Sequence, residues 1–319
     1  MSFSNDAKNE GARVQLESSK LILAELSAFV RTCCEIKIKA NKVSLEFVTE
    51  NASTARRIFT HLKGYSNQLE AYRKKSTSLV QSGQYIIVMN DKYAIDDLLH
   101  DTNFIFNGQY FSKGSYIMAD KLKSDKEERA YLRGAFLGAG SITNPEKSYH
   151  LEIVCREEGF AEDLKNLINK KGLKARTSKR KNSHIVYIKE AEQISDFMAL
   201  IGLSQSLLKF ENIRVLKDLR NNVNRVVNCE TANINKQIEA AQKQIADINY
   251  LIKVGKYEDL SADIKEIAQI RLENEYYTLK EIAEKTKDKY TRSGVNYRLK
   301  KISKMAEKHR GAEDERNEG

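Results

Sequence analysis

The side chains best placed for chemistry lie near the carboxy-terminal end. Between Lys289 and Lys304 there are six basic residues (Lys289, Arg292, Arg298, Lys300, Lys301 and Lys304) and no acid. On a helix that turns Val295, Leu299 and Ile302 inward, the outer positions are Asn296, Tyr297, Lys300, Lys301 and Lys304. Asn, Arg and Lys are residue types that read base edges, and basic side chains also neutralise phosphates. Upstream, Thr278-Leu279-Lys280-Glu281 fits a capping box, followed by Ile282 and Ala283 on the face of Leu279. Two short helices with a brief link match the helix-turn-helix pattern. The expected contacts to duplex DNA are Thr278, Lys280, Lys289, Thr291, Arg292, Ser293, Asn296, Tyr297, Arg298, Lys300, Lys301 and Lys304. The plainer alternative is a solvated amphipathic helix.

A second basic cluster runs from Lys165 to Lys189 without an acid. Its densest part, Lys174, Arg176, Lys179, Arg180 and Lys181, falls on a predicted hairpin, and Arg73, Lys74 and Lys75 fall on an earlier one. These are candidate secondary DNA contacts, laid along a groove and sensitive to salt. Charged hairpins also keep sheet edges soluble, which is the alternative. A third patch, Arg214, Lys217, Arg220, Asn221, Asn224 and Arg225, shares one side of a helix. It is read first as paired to the preceding domain, with DNA contact as the alternative.

Nothing in the sequence assembles a catalytic set. Cys33, Cys34, Cys155 and Cys229 lack ligand spacing, and His61, His100, His150, His184 and His309 form neither a ligand set nor a triad. There is no phosphate-binding glycine loop. No catalytic residue, metal or cofactor is expected.

The elements that position these residues come from a duplication. From Leu26 and Leu132 the two halves run in register at an offset of 106 (132 − 26), so that KVSLEFV (Lys42 to Val48) lies over SYHLEIV (Ser148 to Val154). Farther on the offset is 99, with Tyr85 to Leu99 over His184 to Met198. Each half reads as helix, two strands, helix, two strands, helix: in the first, Leu21–Arg31, a hairpin over Ile36–Val48 turning near Asn41, Ala52–Leu62, strands Leu69–Tyr72 and Tyr85–Asn90, and Asp91–Leu99. The second half repeats that order from Glu128 to Ile201. From Lys209 the pattern is helical, with a polar break at Asn228–Asn233 and a second stripe of Ile234, Ile238, Ala241, Ile245, Ile248 and Ile252. That stripe fits one partner helix, in this chain or a second copy. The expected domains are an amino-terminal extension (1–20), the duplicated domain (21–208), a helical linker (209–255), a helix-turn-helix domain (256–310) and a frayed tail (311–319).

The chain has 319 residues and a net charge of +10 (54 − 44), which favours a polyanionic partner. Charged residues make up 31% and no apolar run approaches a membrane span, so a soluble protein without a membrane partner is expected. Four cysteines without a signal peptide read as reduced cytosolic thiols.

AYLRGAFLGAGSI (Ala130–Ile142), YHLEIV (Tyr149–Val154), FENIRVLKDLRNNVNRVVNCETANINK (Phe210–Lys236) and SGVNYRLKKI (Ser293–Ile302) together resemble the WhiA family of bacterial DNA-binding regulators. The resemblance implies an α+β fold: a degenerate, pseudo-twofold LAGLIDADG homing-endonuclease-like domain (αββαββα repeats), then a helical linker and an all-α helix-turn-helix domain. It implies a role in transcription control linked to cell division and sporulation, nucleoid association in the cytoplasm, and proteins of those machineries as further partners. Leu132 to Gly140 (LRGAFLGAG) lies over the LAGLIDADG motif, and Gly134 and Gly138, one turn apart, allow two helices to cross closely. In nucleases of this kind the penultimate motif position is an acid that holds Mg²⁺. Here it is Ala139, and Cys33 in the first repeat. The resemblance therefore implies a nuclease scaffold without cleavage; an active homing endonuclease or an RNA maturase of the same ancestry, or a scaffold binding acidic proteins, are the alternatives.

Overall fold

The computed structural model describes residues 2–39, 42–75, 83–104, 106–107, 110–111, 122–287 and 289–317. The chain divides into two compact units, Met1–Asp218 and Leu219–Gly319.

In the first unit, α1 (Phe3–Gly11) precedes α2 (Ser19–Thr32), β1 (Cys34–Lys39), β2 (Lys42–Thr49), α3 (Ala52–Leu62), β3 (Leu69–Lys74), β4 (Gln84–Met89) and α4 (Lys92–Asp101). A short pair, β5 (Phe106–Asn107) with β6 (Tyr110–Phe111), separates the repeats. The second repeat is α5 (Asp125–Ala139), β7 (Gly140–Ile142), β8 (Leu151–Cys155), α6 (Glu158–Lys170), β9 (Arg176–Arg180), β10 (Ser183–Ile188) and α7 (Ala191–Leu200). The hairpin turn expected near Asn41 lies outside the described residues.

The two antiparallel sheets share one topology, β1-β2-β4-β3 and β7-β8-β10-β9. Their registers reproduce the sequence offsets. Glu35 pairs with Glu46 as Ser141 pairs with Glu152, a shift of 106 on both strands. Leu45 pairs with Met89 as Leu151 pairs with Ile188, shifts of 106 and 99. The change of offset is the shorter β9–β10 hairpin. Alternation along each strand sends Leu45, Phe47, Ile87 and Met89 into one core and Leu151, Ile153, Val186 and Ile188 into the other.

The repeats meet where α2 crosses α5. A Cβ on Gly134 would lie 3.0 Å from the Ala28 methyl and 2.8 Å from the Glu25 carbonyl oxygen, and one on Gly138 would lie 2.1 Å from Thr32 Oγ1. Ala28 and Thr32 are the repeat mates of Gly134 and Gly138 at the offset of 106. Equivalent residues thus face each other across the pseudo-twofold. The approach is close enough that Leu137 of α5 packs into the first-repeat core, while Ala24 and Ala28 of α2 pack into the second.

Beside this crossing lies a buried ion cluster. The Glu25 carboxylate, fully buried, accepts from Arg57 at 2.6 and 2.8 Å, lies 2.9 Å from His61 Nε2, and accepts from Arg133 at 2.7 Å. Arg57 also donates to the Ala12 and Val14 carbonyls and Arg133 to that of Ile201. Glu25 thereby ties α2 to α3 and α5, and reaches the α1–α2 connection and the end of α7. The residues read as an amino-terminal extension supply α1, whose Phe3 and Ala7 are buried; its Glu10 carboxylate accepts from Gln205 and Ser206 N–H at 2.7 and 2.8 Å.

Helix α8 (Ser204–Lys253) runs without interruption across the boundary between the units. The polar break expected at Asn228–Asn233 is absent, because NCETAN contains neither Gly nor Pro and costs only tenths of a kcal/mol per residue in a helix. In the second unit, the end of α8 packs with α9 (Ala262–Glu273), α10 (Leu279–Lys285) and α11 (Arg292–Asn317). Ala241, Ile248 and Leu251 are buried, whereas Ile234, Ile238 and Ile252, expected inward, are exposed. The buried row steps by seven and three, so Leu251 takes the place read for Ile252. Helix α11 continues to Asn317, through residues read as a frayed tail.

Burial pushes the Glu25 carboxyl upward, but hydrogen bonds from His61 and Arg57 and the charges of Arg57 and Arg133 outweigh it and hold it at about 2. A carboxyl depressed on folding contributes stability above its unfolded value, and that contribution is lost as pH falls through the folded one. Stability is therefore expected to decline between about pH 4.5 and 2. Glu25→Gln removes the charge and leaves two buried guanidiniums unpaired, lowering unfolding free energy by about 3–5 kcal/mol at neutral pH and flattening the acid limb. Urea titrations across pH check both effects.

Candidate nucleic-acid interface

Three surfaces carry the residues singled out by sequence: the ends of the motif helices, the outer faces of the sheets, and the last helix of the second unit.

Cys33 is the C-cap of α2 and Ala139 the last residue of α5. The Cys33 thiol is buried, bonds to the Phe29 carbonyl, and is pushed up to about 12 by desolvation, so it stays protonated. Ala139 offers a methyl group. These donors do not suit a hard divalent cation, which takes oxygen ligands. The nearby carboxylates have other partners. Glu35 accepts from Arg156, which also bonds the Cys34 carbonyl; Glu46 is paired with Lys37; Glu152 sits 3.2 Å from His150 and 3.9 Å from Arg180.

The basic hairpins divide by strand alternation. Lys74 pairs with Gln84, and Arg176 and Arg180 pair with Tyr187 and Ser183. All three side chains therefore share the sheet side of Glu46 and Glu152, away from the helices. Arg73 and Lys179 are repeat mates on the opposite side, where Thr177 bonds Glu162 of α6 and Arg73 stacks on Tyr85 at 5.6 Å. Lys75, Lys174 and Lys181 are exposed at strand ends, and Lys181 adopts φ +51° in the hairpin turn. The hairpins thus bring Lys74, Arg176 and Arg180 to the outer faces and take Arg73 and Lys179 away from them.

The third patch splits. Arg214 pairs with Glu211, and Lys217 lies over the Tyr149 ring at 4.8 Å, within reach of the Pro145 and Lys147 carbonyls. Arg220, Asn221, Asn224 and Arg225 are exposed, and the two arginines carry no ion pair among the described residues.

In the second unit α10 and α11 form the expected pair of helices. Thr278 caps α10: its hydroxyl accepts from Glu281 N–H, and Glu281 returns to the Thr278 N–H at 2.6 Å. Ser261 stands at the N-cap of α9, where its hydroxyl bonds Asp263 and not a backbone N–H. Val295, Leu299, Ile302 and Ala306 seat α11 on Ile264, Ile267, Ala268 and Ile282. The 3.6-residue period then leaves Ser293, Asn296, Tyr297, Lys300, Lys301 and Lys304 on the open side, and Arg292 is exposed as the first residue of the helix. Lys300, Lys301 and Lys304 have no acidic partner among the described residues, and Lys301 lies over Tyr297.

Several other expected contacts have partners within this unit. Arg298 donates to Asp263 of α9 at 2.9 Å and to the Gly294 carbonyl at 3.1 Å, and stacks 3.8 Å above the Tyr290 ring. It borders the buried row, so it fastens α11 to α9. Lys289 is paired with Glu266 at 2.7 Å, Lys280 with Glu284, and Thr291 accepts from Gly294 N–H. Arg271, missed by sequence reading, is almost fully buried. It donates to the Asn274, Glu275 and Tyr277 carbonyls at 3.5, 3.4 and 2.6 Å, shaping the α9–α10 connection. A lone arginine in a helix gave no signal for that role; the position of Arg298 three residues after Val295 did.

Three family models match in succession: the WhiA N-terminal LAGLIDADG-like domain over residues 19–105, the WhiA LAGLIDADG-like domain over 128–220, and the WhiA C-terminal HTH domain over 223–306. A "Probable cell division protein WhiA" of Clostridium perfringens is 41% identical over 312 residues, 97% of this chain and 99% of that protein. Its counterpart in Clostridium beijerinckii is 42% identical over the same length and coverage. The crystal structure of full-length DUF199/WhiA from "Thermatoga maritima" has a TM-score of 0.58 at 24% identity, covering 97% of this chain and 99% of that one, a likeness of fold.

Arg271→Met keeps the apolar stem and leaves three loop carbonyls without their donor. A loss of about 2–3 kcal/mol in unfolding free energy is expected, measured by urea denaturation.

Proposed function

The chain belongs to the WhiA family, and from that premise we propose that it is a sequence-specific duplex-DNA-binding regulator of transcription, acting in cell division and, where the host forms spores, in sporulation. It works in the cytoplasm at the nucleoid and performs no strand cleavage. The observation that carries this reading is the open side of α11: Asn296, Lys300, Lys301 and Lys304 project together, and the lysines have no acidic partner among the described residues. Base reading falls to Ser293, Asn296 and Tyr297, phosphate contact to Arg292, Lys300, Lys301 and Lys304.

Arg298 and Asp263 act by holding α11 in place, and Thr278 and Glu281 by fixing the start of α10. On the duplicated domain, Lys74, Arg176 and Arg180 are the secondary phosphate contacts, with Lys75, Lys174 and Lys181 at the strand ends. The absence of cleavage follows from Ala139 and the neutral Cys33 thiol at the motif ends.

Gel-shift titrations at two salt concentrations test the assignment. Lys300→Ala and Lys301→Ala are each expected to weaken binding and to lower the salt slope by about one. Arg298→Ala is expected to weaken binding with the slope unchanged. Unaltered affinity in the two lysine variants removes α11 as the reading element. A nicking assay with Mg²⁺ or Mn²⁺ is expected to give no cut product; nicking that disappears in an Ala139→Lys variant restores the nuclease reading.

A further inference from the structure

The cations around α11 differ in their partners. Lys300, Lys301 and Lys304 have no acidic partner among the described residues. Lys289 and Arg298 are each held by an acid of α9: Lys289 Nζ lies 2.7 Å from Glu266, and Arg298 Nε 2.9 Å from Asp263. Both cations also lie over the Tyr290 ring, at 5.1 and 3.8 Å, and the Tyr290 hydroxyl is 3.5 Å from Glu266. Helix α9 thereby neutralises a cation on each side of the stretch Ser293–Tyr297. The two pairs are not equivalent. Arg298 donates to the Gly294 carbonyl as well, and its side chain is 20% exposed, so the guanidinium is fixed. The Lys289 side chain is 58% exposed, and Glu266 is its one acidic partner among the described residues. A lysine this exposed is free to meet a phosphate once its acid is gone.

We propose, taking α11 as the DNA-reading helix, that Glu266 limits the affinity of the module for duplex DNA: it keeps Lys289 from acting as a phosphate contact. Each cation that meets the backbone releases counterions from a duplex of any sequence. A lysine already neutralised by a carboxylate adds little to that release, and the carboxylate itself is repelled by nearby phosphates. Glu266 thus withholds about one charge from the sequence-independent part of binding. Ser293, Asn296 and Tyr297 keep their places, because Arg298 and the buried row of α11 hold the helix.

The test titrates the full-length chain against a random-sequence duplex by fluorescence anisotropy over a range of salt concentrations. Glu266→Gln is expected to bind about fivefold tighter at about 0.1 M salt, with a salt slope steeper by about one. Lys289→Met alone is expected to leave the slope unchanged, and Glu266→Gln/Lys289→Met to return it to the wild-type value. An exposed pair contributes little to folding, so all three variants are expected to melt with the wild type. If Glu266 serves only to hold the turn, Glu266→Gln binds more weakly at an unchanged slope, and the proposal is overturned. It is also overturned if Lys289→Met alone makes the slope shallower by about one, since Lys289 is then already on a phosphate. Lys300→Ala, run alongside, separates this proposal from the reading it rests on. A shallower slope in Lys300→Ala with no response to Glu266→Gln sinks the role of Glu266 alone. No response to Lys300→Ala sinks the α11 assignment, and this proposal with it.

Discussion

The duplicated domain is governed by how near two helices can come. Gly134 and Gly138 have no Cβ, and at both positions a methyl group would overlap the facing helix. That approach allows each motif helix to contribute to the other repeat's core. Glu25 is the polar counterpart of the same contact. It lies where Gly134 touches α2, and it gathers guanidinium groups from two other helices. Ion clusters this deep repay their desolvation only when every lone pair is used, and here both carboxylate oxygens are occupied.

The same crossing brings the ends of α2 and α5 to one place. The side chains there are apolar or paired. Cys33 and Ala139 continue the packing, and the remaining carboxylates are held by Arg156, Lys37, His150 and Arg180.

Much of the fold was readable in the chain, and the reasons are physical. The repeat offsets became strand registers because a one-residue slip in a half-buried sheet exchanges its faces. The glycine pair announced the crossing because no other residue fits. The capping box at Thr278 was visible because it is local. What was hidden depends on contacts far apart in sequence. The partners of Arg298 and Lys289 lie 35 and 23 residues away; those of Arg271 are local, and there it was the inward turn of the side chain that gave no signal. The polar stretch at Asn228 misled because polarity without Gly or Pro does not end a helix. In the hairpins, charge density was legible but sidedness was not, since Arg73 and Lys74 look alike until pairing assigns each to a face.

Helix α11 separates its duties by side. One flank carries Val295, Leu299, Ile302 and the Arg298 fastening, and the other carries Asn296, Lys300 and Lys304. If α11 reads bases as proposed, such a division lets a lineage rewrite its target vocabulary one letter at a time while the helical body underneath stays intact. Preference for a binding site would then be a quickly drifting trait on a slowly drifting frame, and two homologues with superimposable backbones would have no obligation to share targets.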